Sequence, residues 1–284
     1  MATANSEALQ GYEVRHWTLD DIPWDRLDRG KLDPEIVRLV KAASLVEYNG
    51  VAYAHHLCRI FHDDLEFQRD VCRWGEEEVQ HGRALGRWAE LADPEFDFDT
   101  AFRRFRAGYR VDFDCEVSRR GSRSGEMIAR CMVEVGTSSY YRALRDAVEE
   151  PVLKEICRKI AADEIRHYKL FYNNLLRCLG RERIGFWARL RIAAQRIAES
   201  EDDELAYAYY AAIDTTRPYQ HRRYSRAYSA RACALCRKSH VAYGVMLIFK
   251  AVGLNPHGLL ARISRRLAWW FVRYRAMQLA SANA

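Results

Sequence analysis

The chain has 284 residues, of which 30% are charged and 49% are hydrophobic, and its formal net charge is +6. This length suits one large body with an appended segment better than two full domains. No apolar run follows a basic start and no stretch approaches the roughly 18 apolar residues of a membrane span, so we expect a cytoplasmic protein without a secretory signal.

Basic charge is concentrated toward the end of the chain. Residues 1–180 carry 27 basic and 32 acidic side chains, whereas residues 181–284 carry 18 basic and 7 acidic ones. From Thr215 onward there are 13 Lys and Arg and no Asp or Glu. Such a region attracts anions, which include an acidic protein, an anionic lipid, a phosphate-bearing substrate or RNA.

The eight cysteines are scattered, which is typical of reduced thiols rather than of a disulfide framework. Only Cys233 and Cys236 form a CxxC pair. Because a zinc ribbon or a rubredoxin-type site needs two such pairs, we interpret this one as structural.

Helical patterning follows an irregular lead-in, residues 1–33. Apolar positions recur at helical spacing over residues 35–61, after a proline suited to a first helical turn. Asp63 or Asp64 can cap a second helix that runs to about residue 91.

The next stretch, residues 93–124, mixes aromatic residues, charges and glycine and predicts a crossover with one short helix. A third helix is expected over 124–147 and a fourth over 151–180, the latter opened by a proline and ended by a glycine. Two helical pairs joined by one long crossover predict an all-α, ferritin-like four-helix bundle over residues 34–180.

Further helices follow in a basic extension, residues 181–284, which we expect to pack on the bundle. They are predicted over residues 183–199, 203–214, 218–253 and 257–280. No β pattern of useful length occurs in the sequence.

The sequence repeats one arrangement of metal-ligating residue types. In each helical pair a Glu lies about 30 residues before a Glu-x-x-His unit. The residues are Glu47, Glu78 and His81 in the first pair, and Glu134, Glu164 and His167 in the second. Residues three apart share a helix face, and about 30 residues bring an antiparallel return helix back to the same level.

Four buried carboxylates without partners would be strongly disfavoured, whereas two divalent cations supply four balancing charges. One Glu from each of two helices and Glu-x-x-His from two others is the ligand set of di-iron bundles. We therefore predict a site for two iron ions, with manganese open as an alternative. A third match, Glu13 and His16, lies in the lead-in without a partner Glu and is interpreted as chance.

The residues around these ligands resemble the soluble acyl-carrier-protein desaturases over about residues 35–180. The segment 74–82, WGEEEVQHG, is similar to that family's second-helix motif, and EVGT at 134–137 and DEIRH at 163–167 are similar to the third and fourth. The sequence departs from the plant enzymes after Glu47, and the last hundred or so residues do not resemble the family.

The resemblance implies O2 as a co-substrate and roles for three further residues. Thr137 would lie beside the oxygen-binding side of the irons, and Asp163 with Trp74 would bring in electrons. The alternative for Thr137 is a hydroxyl bonded to its own helix, and for Trp74 a packed core aromatic.

Three classes of function stay open. The first is an oxidoreductase that desaturates or hydroxylates a lipid-like acyl chain. The second is an oxygenase of a quinone, an amine or a tRNA base, and the third is a ferroxidase or peroxide scavenger. The expected partners are a ferredoxin as electron donor, an acyl carrier protein or acyl thioester, and a second copy of the chain, whereas a nucleic acid is disfavoured. The basic face over residues 217–238 would hold an acidic partner.

The last predicted helix gathers apolar residues on one side and arginines on the other. The apolar set is Ile263, Leu267, Trp270, Phe271, Tyr274 and Met277. An amphipathic helix over 257–281 can lie on an anionic membrane, such as the inner membrane face. We favour the other interpretation, in which its apolar side packs on the bundle and its arginines face water.

Overall fold

The structure is a computed structural model that describes residues 16–110, 116–199 and 203–281. Glu13, Cys115 and most of the early lead-in lie outside these ranges. Within them the fold is all-α, without strands, which confirms the expected class. The helices are α1 Pro34–Tyr48, α2 Gly50–Ile60, α3 Leu65–Ala92, α4 Phe98–Gly108, α5 Arg123–Ala147, α6 Pro151–Leu179, α7 Phe186–Ala198, α8 Asp203–Ile213, α9 His221–Leu235, α10 Lys238–Val252 and α11 Leu259–Ser281.

Side-chain caps fix where the four bundle segments begin. Asp33 accepts a hydrogen bond at the start of α1, Asp64 at α3 and Ser122 at α5. At α6 Glu150 accepts from two backbone amides and from the indole of Trp88, 2.7 Å away. Each cap satisfies amides that have no partner inside the helix.

The bundle consists of α1 with α2, α3, α5 and α6, and α4 lies in the crossover. The most extensive packing joins α5 to α6, and α3 packs along α1 and α2 and also against α6. A Cβ on Gly50 would meet Glu78, and one on Gly82 would meet Tyr48, so α3 runs antiparallel to α1 and α2. This arrangement is consistent with the predicted ferritin-like bundle.

Two predicted helices are each broken in two. The helix expected over 35–61 is interrupted at Asn49, whose buried side chain accepts from Arg106 at 2.8 Å and lies 3.4 Å from Glu204. These contacts from α4 and α8 hold the break, which falls at the turn dipeptide Asn49-Gly50. The helix expected over 218–253 is likewise interrupted at Cys236, between α9 and α10. The seven cysteines in the described ranges are free.

Two apolar cores fill opposite ends of the bundle. One includes Leu39, Leu85 and Ile156, and the other includes Leu57 and Phe171. The Glu and His positions lie between these cores along all four segments. Complete burial of such side chains stabilises the fold by roughly 1.5–3 kcal/mol each, which can offset a polar layer between them.

The later helices other than α11 contact the bundle directly. α8 packs on α1, whereas α7 and α10 pack on α5. α11 contacts α9 and α10 rather than the bundle helices α1, α3, α5 or α6 in its main packing. No described helix is long and apolar enough to cross a membrane.

The favoured interpretation of the last helix is wrong. The side of α11 that packs inward carries Ala261, Trp269 and Leu279. Its larger apolar side faces solvent instead, since Leu267 is 62% exposed and Trp270 is 66% exposed. α9 and α10 cover the opposite side of the helix. Packing therefore buries the narrower apolar strip of α11 and leaves the wider one exposed.

Candidate metal centre

The six predicted ligands meet in one buried layer of the bundle. They form two groups of four residues, and within each group one ligand atom from every residue lies within 4.8 Å of the others. The first group is Glu47, Glu78, His81 and Glu164, and the second is Glu78, Glu134, Glu164 and His167. Glu78 and Glu164 belong to both groups, which is the placement that bridging carboxylates require.

Unpaired donor and acceptor atoms point to cations at this layer. Five of the six residues bury an oxygen or nitrogen that has no hydrogen-bond partner. The atoms are Oε2 of Glu47, Nδ1 of His81, Oε1 of Glu134, Oε1 of Glu164 and Nδ1 of His167. Their near contacts are ion pairs inside the cluster, such as Nδ1 of His81 with Oε1 of Glu164 at 3.4 Å. Because buried polar atoms are normally hydrogen-bonded, this set fits metal ions, and its carboxylate and imidazole chemistry suits iron or manganese.

The pKa values show how the cluster balances charge with protons alone. Burial and the nearby Glu78 raise the pKa of Glu47 to about 8. Burial also raises the pKa of Glu134, and that of Glu164. Burial by itself would lower the pKa of His81, but the surrounding carboxylates outweigh it and raise that pKa. Divalent cations can replace these protons, so metal binding would release them.

A carboxylate outside the cluster orients each histidine. Nε2 of His81 lies 3.0 Å from Oδ2 of Asp163, and Nε2 of His167 lies 2.9 Å from Oε2 of Glu77. Both rings therefore turn Nδ1 toward the four ligand carboxylates. Such outer partners fix the tautomer and the direction of metal-binding histidines.

Asp163 contacts Trp17 and not Trp74. The indole Nε1 of Trp17 donates to Oδ2 of Asp163 at 2.6 Å, and its ring stacks on His81 with centroids 5.9 Å apart. Trp74 lies edge-on to His167 at 6.3 Å, and its indole nitrogen has no hydrogen-bond partner. The two residues expected to form one electron route thus lie against different histidines.

Two hydroxyl groups touch the ligand carboxylates. Thr137 donates to Oε2 of Glu164 and also lies 3.3 Å from the carbonyl oxygens of Val133 and Glu134. Thr137 therefore contacts a candidate ligand as well as its own helix, and its place on the oxygen-binding side stays a prediction. Tyr141 donates to Oε1 of Glu47 at 2.6 Å.

Sequence reasoning missed the contacts that Glu77, Tyr141 and Trp17 make with the cluster and its outer partners. Glu77 adjoins a ligand and could have been found from its EEE run, whereas Tyr141 carries no local signal. His16, the chance match, lies 3.0 Å from Glu77 and stands outside both ligand groups.

A mainly apolar cavity of about 400 Å³ adjoins the cluster. Glu47 and Thr137 line it on the bundle side, together with apolar residues of α1 and α5. The extension supplies the rest of the wall from four helices. The residues are Arg196 and Ile197 of α7, Glu204 and Leu205 of α8, Tyr228 of α9 and Ile248 of α10.

A smaller cavity of about 80 Å³ is lined by all four ligand carboxylates. Six residues line both cavities, so the two adjoin. They are Val46, Glu47, Val133, Thr137, Arg196 and Glu204. A molecule in the larger cavity would therefore lie directly beside the candidate metal layer.

Comparison with known proteins gives a distant match over part of the chain. No family model matches the chain. A protein named as an acyl-(acyl-carrier-protein) desaturase, DesA2, in two strains of Mycobacterium tuberculosis is 28% identical over 130 residues. The match covers 44% of this chain and 45% of that relative, so the chain spans less than half the length of the relatives it matches. This distant similarity, the helical fold and the buried cluster together fit a ferritin-like protein with a two-metal site.

Proposed function

We propose that this protein is an O2-dependent di-iron oxidoreductase that desaturates or hydroxylates a lipid-like acyl chain. The observation that carries the proposal is the apolar cavity of about 400 Å³ beside Glu47 and Thr137. Its volume falls within the usual range of small-molecule sites, and its lining suits a hydrocarbon better than a charged substrate.

Glu47, Glu78, His81, Glu134, Glu164 and His167 would hold the two iron ions. When bound, these ions would supply the oxygen activation needed to break a C–H bond. The ligand carboxylates face the smaller cavity. The larger cavity, which adjoins it, would hold the acyl chain of the substrate and exclude water.

Thr137 and Tyr141 would position the ligands and hold protons near them. Each hydroxyl donates to one oxygen of a ligand carboxylate, Glu164 and Glu47 respectively. This leaves the other oxygen, Oε1 of Glu164 or Oε2 of Glu47, unpaired and available to a cation. Thr137 also lines both cavities, so its hydroxyl lies between the substrate space and the ligands.

The relatives support the acyl class of substrate, because DesA2 is named for desaturation of acyl groups on acyl carrier protein. The substrate of a ferroxidase is an iron ion, which does not need an apolar cavity of this size beside the ligands. A tRNA base would bring phosphates, which the apolar lining does not match. An acyl carrier protein or acyl thioester is the proposed carrier, and a ferredoxin is the proposed electron donor.

The test starts with protein purified from iron-replete cells. Metal per chain is measured, and the reduced protein is then mixed with oxygen in the presence and absence of long-chain acyl thioesters. We expect two irons per chain and an acyl product with a new double bond or hydroxyl group. Two irons with rapid oxidation that acyl thioesters leave unchanged would reject the acyl assignment and favour another substrate or iron itself.

Gly136 offers a matched pair of variants for the cavity. It lines the larger cavity, and a Cβ added there would meet no atom within 4 Å. Gly136→Phe should fill the cavity and abolish turnover of long chains while iron content stays at two per chain. Gly136→Ala adds one methyl group and should keep most of the activity. Equal turnover by both variants would show that the substrate does not occupy this cavity.

A further inference from the structure

The outward side of α11 presents a continuous apolar surface. It carries eight large apolar side chains, all exposed, and we call it the outer face of α11. They are Leu259, Leu260, Ile263, Leu267, Trp270, Phe271, Tyr274 and Met277. Their spacing places them on one side of the helix, opposite the side that packs on α9 and α10. Contiguous apolar surface of this kind marks an interaction site.

Arginines border this face along its length. Arg262, Arg266 and Arg273 are exposed and lie between the outer face and the packed side, at helical spacings of four and seven residues. No acidic residue occurs from Thr215 to the end of the sequence, so nothing on this helix neutralises them. The charge beside the apolar face is therefore uniformly positive.

Aromatic residues occupy the middle of the face. Trp270 and Tyr274 stack on each other with ring centroids 5.5 Å apart, and Phe271 is 60% exposed beside them. Trp and Tyr combine an apolar ring with a polar group and concentrate at the headgroup level of membranes. An exposed apolar strip with aromatic residues and flanking arginines has the composition of a helix that lies in a lipid interface.

We propose that the outer face of α11 docks this protein on an anionic lipid surface, with the helix parallel to the membrane plane. The apolar side chains would enter the acyl boundary, and the three arginines would bind phosphate groups of the lipid headgroups. RNA is a poorer occupant, because phosphates match the arginines but leave eight apolar side chains in water. A second copy of the chain would offer these arginines no acidic residue of its own α11, because none occurs from Thr215 to the end of the sequence.

Docking would place α11 between the membrane and two helices that line the larger cavity. α9 and α10, on which α11 packs, contribute Tyr228 and Ile248 to the lining of the larger cavity. The docking proposal does not depend on the proposed function. The idea that a membrane-borne acyl chain is delivered to that cavity does depend on it.

The docking test is sedimentation of the full-length protein with vesicles. One set contains phosphatidylcholine alone and the other contains phosphatidylcholine with about 30% phosphatidylglycerol. We expect the protein to bind the anionic vesicles and to be released by high salt. The triple variant Arg262→Glu, Arg266→Glu, Arg273→Glu should lower partitioning by about a hundredfold. The pair Leu267→Ala, Phe271→Ala should lower it by about tenfold.

The control reverses three exposed arginines on other helices, Arg69→Glu, Arg73→Glu and Arg104→Glu, with the same change in net charge. It should bind vesicles nearly as well as the parent chain. If both triple variants lost vesicle binding equally, net charge alone would explain the loss and the proposal would be overturned. Equal binding of the parent chain to neutral and anionic vesicles would also overturn it.

Sedimentation equilibrium separates docking from self-association. A dimer that the Leu267→Ala, Phe271→Ala pair dissociates, without vesicle binding by the parent chain, would assign the outer face to a second copy and overturn the proposal. Iron content and helical circular dichroism of each variant report folding independently. Because vesicle binding requires no turnover, a failed activity assay leaves this result intact.

Discussion

His81 directs its Nε2 atom to Oδ2 of Asp163, 3.0 Å away, and therefore turns Nδ1 toward the buried carboxylates. Burial tends to raise the pKa of Asp163, but the neighbouring His81 and Arg166 outweigh it and hold that pKa below its usual range. Asp163 thus stays ionised and keeps its histidine oriented.

Asp163→Asn should lower metal affinity about 10- to 100-fold, because the amide no longer fixes the ring as a carboxylate does. The measurement is metal retention against a competing chelator. Trp17→Phe serves as the control, since it removes the indole that donates to the same oxygen of Asp163 and leaves the carboxylate on His81. If Trp17→Phe loses as much metal as Asp163→Asn, packing of the lead-in and not orientation of His81 controls affinity.

Removal of a ligand should abolish the metal centre. Glu78→Ala or His167→Ala is expected to lose iron, because Glu78 belongs to both ligand groups and His167 supplies the only imidazole of the second. Iron per chain after purification is the measurement, with Glu76→Gln, an exposed neighbour on the same helix, as the control. Full iron occupancy in both alanine variants would remove the central claim.

The meeting of the six candidate ligands in one cluster could be predicted because their spacing is periodic. Glu78 and His81 share a helix face by spacing alone, and a separation of about 30 residues sets the level of Glu47 on the neighbouring helix. The same local patterns located the starts of α1 and α6, since Pro34 and Pro151 both open helices.

The remaining features depend on contacts between distant parts of the chain. Trp17 reaches Asp163 across 146 positions, and no helical period marks it. Asn49 interrupts a helix because Arg106 and Glu204 hold its amide. The exposed side of α11 could not be chosen from amphipathicity, because α9 and α10 decide which strip is covered.

Gly50, which follows the helix break at Asn49, should be required for the candidate metal cluster. A Cβ on Gly50 would lie 2.3 Å from Cβ of Glu78, closer than packed atoms can approach. Gly50→Ala should therefore push α2 from α3, destabilise the protein by about 1–3 kcal/mol and weaken metal binding. Thermal unfolding and iron content would test both effects. Gly136→Ala, where the added methyl group meets no atom within 4 Å, should be neutral or stabilising by contrast.

Thr137 separates metal binding from turnover. Thr137→Val keeps the shape but removes the hydroxyl that donates to Glu164, whereas Thr137→Ser keeps a hydroxyl. We expect both variants to bind iron, and Val to lower product formation about 10- to 100-fold, the effect of losing a hydrogen bond to a charged group. Product per oxygen consumed is the decisive ratio. If product per oxygen consumed is the same in Thr137→Val and Thr137→Ser, the hydroxyl of Thr137 has no role in turnover and only bonds within its own helix.

Arginines on α9 should recruit an acidic partner separately from the lipid surface of α11. Arg222 and Arg226 are exposed one helical turn apart on the basic face of residues 217–238. Arg231 is excluded from the test because it pairs with Glu35. Arg222→Glu with Arg226→Glu should raise the KM for acyl carrier protein or ferredoxin about tenfold at low salt, and less at high salt, because screening weakens exposed charges. Iron content and vesicle binding should stay near parental values, since neither ligands nor the outer face of α11 change. Unchanged kinetics with both acidic proteins would reject this surface as their docking site.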